Sequence, residues 1–207
     1  SCINGAYDEK FDTTEIAPVI KKHDALFLEL FHGRTLAFKD MALSILPYLM
    51  KTAAKREGID KEIVILTATS GDTGKAALEG FAGVDGTKII VFFPEDGVSP
   101  VQKLQMTAQE GDNTCVVGIL GNFDDAQSAV KSIFTDKDLA EVLEKRGYLF
   151  SSANSINIGR LVPKIVYYFH AYLSAVKQGA LKMGDELNFT VPTGNFGDIL
   201  AGWYAMK

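Results

Sequence analysis

The stretch E-I-V-I-L-T-A-T-S-G-D-T-G, Glu62 to Gly74, decides the fold. Its first half, Glu62 to Thr67, is a nearly continuous apolar run, the pattern of a strand buried on both faces of a sheet. Its second half, from Thr67, gathers small hydroxyls and glycines, and Thr73 to Phe81 then takes a helical pattern. Working outward, the same alternation recurs. Downstream come a strand over Lys88 to Phe93 (KIIVFF), a helix over Ser99 to Gln109 with Pro100 at its first position, and a strand over Thr114 to Ile119. Helices over Asp124 to Phe134 and Lys137 to Lys145 follow, then a short strand over Tyr148 to Ser151. A long helix over Ile156 to Lys177 with Pro163 near its start, a strand over Leu187 to Val191 and a helix over Gly197 to Met206 complete the series. Upstream, Leu26 to Leu30 reads as a strand and Lys39 to Glu57 as a helix closed by Gly58. Strand and helix alternate, with connections too long for hairpins. The expected fold class is α/β, a mostly parallel twisted sheet with helices on both faces and right-handed crossovers.

Composition narrows the function classes. Of 207 residues, 47% are hydrophobic and 23% charged, proportions of a soluble globular protein with enough chain for a substantial core. The net charge of −5 and a pI near 5.2 argue against a nucleic-acid partner or an anionic membrane surface. Cys2 and Cys115 are far apart. Cys115 lies in an apolar stretch and reads as a reduced core residue, and neither cysteine has metal-ligand spacing. His23, His32 and His170 form no close motif, so no metal site is expected. No signal peptide and no membrane-spanning run is seen, which makes a reducing cytoplasm the default.

Four segments carry chemistry. In F-H-G-R-T-L-A-F-K-D, Phe31 to Asp40, Lys39 stands where strand gives way to helix, with Leu36, Ala37 and Phe38 as apolar cover. A lysine must lose its proton to attack an aldehyde, and partial desolvation favours that. In Thr67 to Gly74, glycines turn backbone N–H groups toward an anion at a helix start, where Ser70 or Asp72 can also serve as N-cap. V-P-T-G-N-F-G-D, Val191 to Asp198, repeats the design. The amides of Gly194, Asn195, Phe196 and Gly197 can cradle a phosphate, although neither a Walker lysine nor a dinucleotide G-x-G-x-x-G is present. S-S-A-N-S-I-N-I-G-R, Ser151 to Arg160, crowds polar residues at a strand end and adds an arginine, the side chain that grips phosphate with two parallel hydrogen bonds.

Taken together and in this order, these segments and V-S-P-V-Q-K-L-Q-M, Val98 to Met106, resemble threonine synthases, pyridoxal-phosphate enzymes with the tryptophan synthase beta-like fold. The resemblance runs from about Leu26 to Lys207, and T-S-G-D-T-G separates it from the S-G-N-H-G loops of serine and threonine dehydratases. It implies that pyridoxal 5'-phosphate is the cofactor and that Lys39 is the Schiff-base lysine and proton shuttle. The reaction would convert O-phosphohomoserine and water to threonine and phosphate, by γ-elimination and then β-addition. It also implies that Gly194, Asn195, Phe196 and Gly197 hold the cofactor phosphate and that Asp72 lies beside the cofactor. Ser70, Gly71 and Thr73 would meet the substrate, and Asn154, Ser155 and Arg160 would favour its phosphate. Lys103 is a further cationic candidate, set against its plainer reading as a solvated helix lysine. Residues 1–207 would be the central part of such an enzyme. Residues 59–150 would form a smaller α/β subdomain inserted between elements of the larger cofactor domain.

Two departures from the family pattern stand out. Arg34 occupies the place of a proline that would stiffen the loop before Lys39. The chain is also shorter than the family, and its last helix is cut at Lys207, so it reads as a piece lacking N- and C-terminal regions. Competing readings are another lyase of the same fold type such as a dehydratase, a non-catalytic threonine-synthase-like domain, and a nucleotide-binding α/β domain. Monomer and homodimer both stay open.

Overall fold

The computed structural model describes residues 1–154, 157–192, 194 and 196–207. Its elements in chain order are α1 (Cys2–Ala6), β1 (Val19–Lys22), β2 (Ala25–Leu28), α2 (Lys39–Arg56), β3 (Glu62–Ala68), α3 (Asp72–Phe81) and β4 (Thr87–Pro94). They continue as α4 (Pro100–Thr107), β5 (Thr114–Ile119), α5 (Phe123–Thr135), α6 (Lys137–Lys145), β6 (Tyr148–Ser152), α7 (Ile158–Lys177) and α8 (Gly197–Met206).

Four strands form one parallel sheet in the order β5-β4-β3-β6, and β1 and β2 form a separate antiparallel pair. Central β3 is buried on both faces, as its unbroken apolar run requires. On one face Ile63, Ile65, Ile89, Val91 and Phe93 pack with Leu43 and Leu46 of α2, Leu78 and Phe81 of α3 and Met106 of α4. On the other, Val64, Leu66 and Ala68 pack with Ala126 and Val130 of α5. The sheet thus has helices on both faces. Helix α7 packs on α2 and α8 on α7. No helix among the described residues is long and apolar enough to cross a membrane.

Local chemistry sets the element ends. Helix α2 stops at Gly58, whose φ of +68° is the left-handed conformation glycine adopts freely. Helices α4 and α5 open with capping boxes, Ser99 with Gln102 and Asn122 with Asp125.

Three expectations are corrected. First, an antiparallel hairpin exists: β1 pairs with β2 through the two-residue turn His23–Asp24, with His23 at φ 53°. Its short apolar stretch before His23 went unread, and only pairing with Phe27 and Leu28 makes it a strand.

Second, Leu187 to Val191 is not a strand. No sheet neighbour lies beside it among the described residues, and a strand without a neighbour has no ladder to join. Its alternating Leu187, Phe189 and Val191 instead line an apolar groove of about 660 Å³ with residues of α7 and α8. Third, Cys115 is exposed, not core. It sits on edge strand β5, opposite Ile90, and α5 packs over β3 and β4 rather than over that edge.

Candidate functional site

The loop before Lys39 is tied to the helix it feeds. Asp40 is buried and accepts from the Thr35 N–H at 2.8 Å and the Thr35 hydroxyl at 2.5 Å. Burial pushes the Asp40 carboxyl above its usual range, against the opposing pull of the Thr35 hydrogen bonds. Leu36 adopts φ 57°, a left-handed conformation strained for a leucine, and its N–H donates to the Gly33 carbonyl at 3.0 Å. The result delivers Lys39 at the first position of α2 with its side chain 15% exposed. Its Nζ lies 4.7 Å from the centroid of the Phe38 ring and 3.5 Å from Asp72 Oδ2.

Asp72 belongs to the turn between β3 and α3. That turn is organised by buried Thr69, whose Oγ1 accepts from the N–H of Gly71 at 3.0 Å and of Gly74 at 2.9 Å and donates to the Gly71 carbonyl at 3.0 Å. A Cβ on Gly74 would stand 2.4 Å from Thr69 Cγ2, so only glycine lets the helix start this close to the strand end. Ser70, Gly71, Asp72 and Thr73 therefore lie at the carboxyl end of the central strand, where open α/β sheets bind ligands.

These residues face one cleft of about 890 Å³. Of the residues expected from sequence, Lys39, Ser70, Gly71, Asp72, Thr73, Asn154 and Arg160 all line it. Arg160 is deeply buried: its Nη1 donates to the Ala153 carbonyl at 2.7 Å, and its Nε has no partner among the described residues. Burial lowers the guanidinium pKa from its ordinary value, partly countered by Tyr167 and Asp198.

Gly194, Phe196 and Gly197 do not line the cleft. Gly194 and Phe196 are exposed, and Gly197 opens α8 beside Lys164, which pairs with Asp198 at 2.9 Å. Asn195 and Ser155 lie outside the described residues.

Lys103 is also not in the cleft; it pairs with Glu95. Its neighbour Gln102 is there instead, because adjacent residues on a helix point about 100° apart. Gln102, Ser152 and the α5 residues Phe123, Gln127 and Lys131 were missed. The segment Val98 to Met106 was the available signal for Gln102. Nothing in the local sequence of α5 marks the face it turns to the cleft. Arg34 donates to Glu79 Oε1 on α3 at 3.0 Å.

A family model for pyridoxal-phosphate dependent enzymes matches residues 18–207, and the chain belongs to that family. It is 42% identical over 212 residues to threonine synthase-like 1 of Homo sapiens, covering 98% of this chain and 28% of that protein. It is 47% identical over 178 residues to the threonine synthase of Pseudomonas aeruginosa, covering 86% of this chain and 35% of that protein. The PLP-bound threonine synthase of Brucella melitensis has the same fold, with a TM-score of 0.82 at 42% identity over 95% of this chain and 40% of that one. The chain thus spans between 28% and 40% of the length of these three proteins.

The cofactor of the family is pyridoxal phosphate, and the residues present fit it. Lys39 lines the cleft, α3 begins on the same wall with Asp72 and Thr73, and Arg160, also a lining residue, is buried with its Nε without a partner among the described residues.

Proposed function

We propose that this chain carries the lysine-bearing part of a threonine synthase site, acting on O-phosphohomoserine and water to give threonine and phosphate. The observation that supports this best is the position of Lys39 Nζ, on the wall of the cleft that Ser70 to Thr73, Asn154 and Arg160 also line, 3.5 Å from the Asp72 carboxylate. When bound, pyridoxal phosphate supplies the electron sink for γ-elimination and β-addition.

The chain's own residues bind, orient and move protons. Lys39 takes and returns protons at Cα and Cβ of the substrate. Asp72 holds the ammonium form of Lys39 between transfers. Ser70, Thr73 and the N–H groups at the start of α3 receive the substrate carboxylate, and Asn154, Ser155 and Arg160 receive its phosphate. Gly194 to Gly197 serve the cofactor phosphate, and residues 59–150 form the smaller subdomain of the enzyme. Cys2 and Cys115, both unpaired, suit a cytoplasmic setting.

A second reading, a threonine-synthase-like domain that holds ligand without turnover, is favoured by one observation: Gly194, Phe196 and Gly197 are not among the residues lining the cleft.

Borohydride reduction with pyridoxal phosphate, followed by peptide mapping, tests the proposal. Label is expected on Lys39 and lost in Lys39→Ala with the fold retained, because α2 tolerates alanine at its first position. Label elsewhere in the folded chain would overturn the assignment. Phosphate release from O-phosphohomoserine then separates the readings. Turnover of free serine or threonine instead marks a dehydratase, and label without turnover marks the binding domain.

A further inference from the structure

We propose that Gln102 is a positioning residue for Lys39, acting through Asp72; the role rests on the reading of Lys39 as the reactive lysine. Gln102 lies on α4, within the Val98 to Met106 segment, whose likeness to the family is otherwise unexplained by the site.

The geometry fixes both ends of its amide. Gln102 Oε1 accepts from the Ser99 N–H at 3.3 Å, and the Gln102 N–H donates to Ser99 Oγ at 3.2 Å, the two halves of the capping box of α4. With its oxygen so committed, the amide can offer only Nε2 to the cleft, and that group donates to Asp72 Oδ1 at 3.0 Å. The other carboxylate oxygen, Asp72 Oδ2, is the one 3.5 Å from Lys39 Nζ. A single carboxylate is therefore held from behind by an amide and faces the lysine in front.

The path between them is tailored to this contact. A Cβ on Gly71 would stand 2.4 Å from Gln102 Nε2 and 2.8 Å from its Cδ, so the amide crosses the turn over a residue that must stay small. Asp72 needs the hold: its side chain is 56% exposed, and without a second anchor it would turn into water. Gln102 is also a lining residue of the cleft, so the clamp stands beside the ligand space. Its effect is to keep a charged acceptor aimed at Lys39, setting where the amine points.

The test needs no cofactor and no turnover. The cofactor-free chain is treated with limiting acetic anhydride, and acylation of Lys39 is counted by mass spectrometry against Lys88. Acylation needs an amine free to meet the reagent, and a carboxylate that holds the amine slows it. Gln102→Met should raise labelling of Lys39 about threefold, the size expected for loss of a partly exposed ion pair. Gln102→Asn keeps the amide but falls a methylene short of Asp72, and it should do the same if the methionine variant does not fold. Ser99→Ala weakens the cap of α4 but leaves the backbone N–H that orients Gln102, so Lys39 should label as in the parent chain. In an Asp72→Asn background, Gln102→Met should add nothing. The proposal is overturned if Gln102→Met leaves Lys39 unchanged, if Ser99→Ala matches it, or if the two effects at Asp72 and Gln102 add. A chain that fails to take pyridoxal phosphate at Lys39 would refute the proposed function, whereas these labelling outcomes bear on Gln102 alone.

Discussion

At the scale of single residues, the lysine loop is held by Asp40 rather than by Lys39 itself. Asp40 binds Thr35 twice, and Gly33 lies directly against it, where a Cβ would stand 2.6 Å from the Asp40 Cβ and 2.4 Å from its Oδ2. Gly33 is needed here for space, since its backbone is not in the left-handed region. Gly33→Ala should therefore destabilise the chain by about 2 kcal/mol, the usual cost of forcing volume into a packed site. Because Lys39 adjoins Asp40, the variant should also take up pyridoxal phosphate more slowly at Lys39. Urea melts and the trapping rate check both. An unchanged midpoint would mean that Asp40 has room to retreat. Arg34 shows the opposite case: where family proline would act through the backbone, the arginine acts through its side chain. It joins Lys75 in holding the Glu79 carboxyl below its usual range despite the upward push of burial.

At the scale of elements, the cleft depends on how closely α2 and α3 approach. Helix α2 delivers Lys39 and α3 delivers Asp72, each at the first position of its helix. Their contact is set at Gly80, where a Cβ would stand 2.4 Å from the Leu43 carbonyl oxygen, a backbone atom that cannot swing aside. Gly80→Ala should push the helices apart, cost about 2 kcal/mol and lower the melting temperature by several degrees. Calorimetry decides it; a melting point equal to the parent's would mean that the helices slide without loss. The capping boxes of α4 and α5 were written in local residue order, and so were most element bounds. The hairpin β1–β2 and the irregular stretch 187–191 were not, because pairing partners far away in the chain decide whether an extended segment becomes a strand.

At the scale of the whole molecule, the N-terminal segment is joined to α2 and α7 by a cluster containing Phe11, Met41 and Tyr167, with Tyr7 packed against it. Tyr7 donates to the Met41 carbonyl at 2.9 Å, and burial raises its hydroxyl to about 12 from the ordinary 10.0. Burial pushes the Tyr167 hydroxyl up as well. Between pH 10 and about 12 the unfolded chain gives up the Tyr7 proton while the folded chain keeps it, so stability falls as pH rises through this window. Tyr7→Phe should lose about 1 kcal/mol at neutral pH with its hydrogen bond, and show a shallower decline into alkali. Urea melts from neutral pH to about pH 11 would expose the difference in slope; parallel curves would mean that Tyr7 is already solvated.

The sequence by itself determined the α/β class, the buried central strand, the place of Lys39 at a helix start and the polar turn after β3. Each of these is encoded in residues adjacent in the chain, through side-chain period, capping and the conformational demands of glycine. Only the tertiary structure decided that Gln102 rather than Lys103 faces the cleft, that α5 supplies one of its walls, and that Arg34 turns toward Glu79. It also decided that Cys115 is exposed and that Gly194, Phe196 and Gly197 do not line the cleft with Lys39. These outcomes depend on which surfaces meet across long separations in the chain, and packing between distant elements, not local preference, sets them.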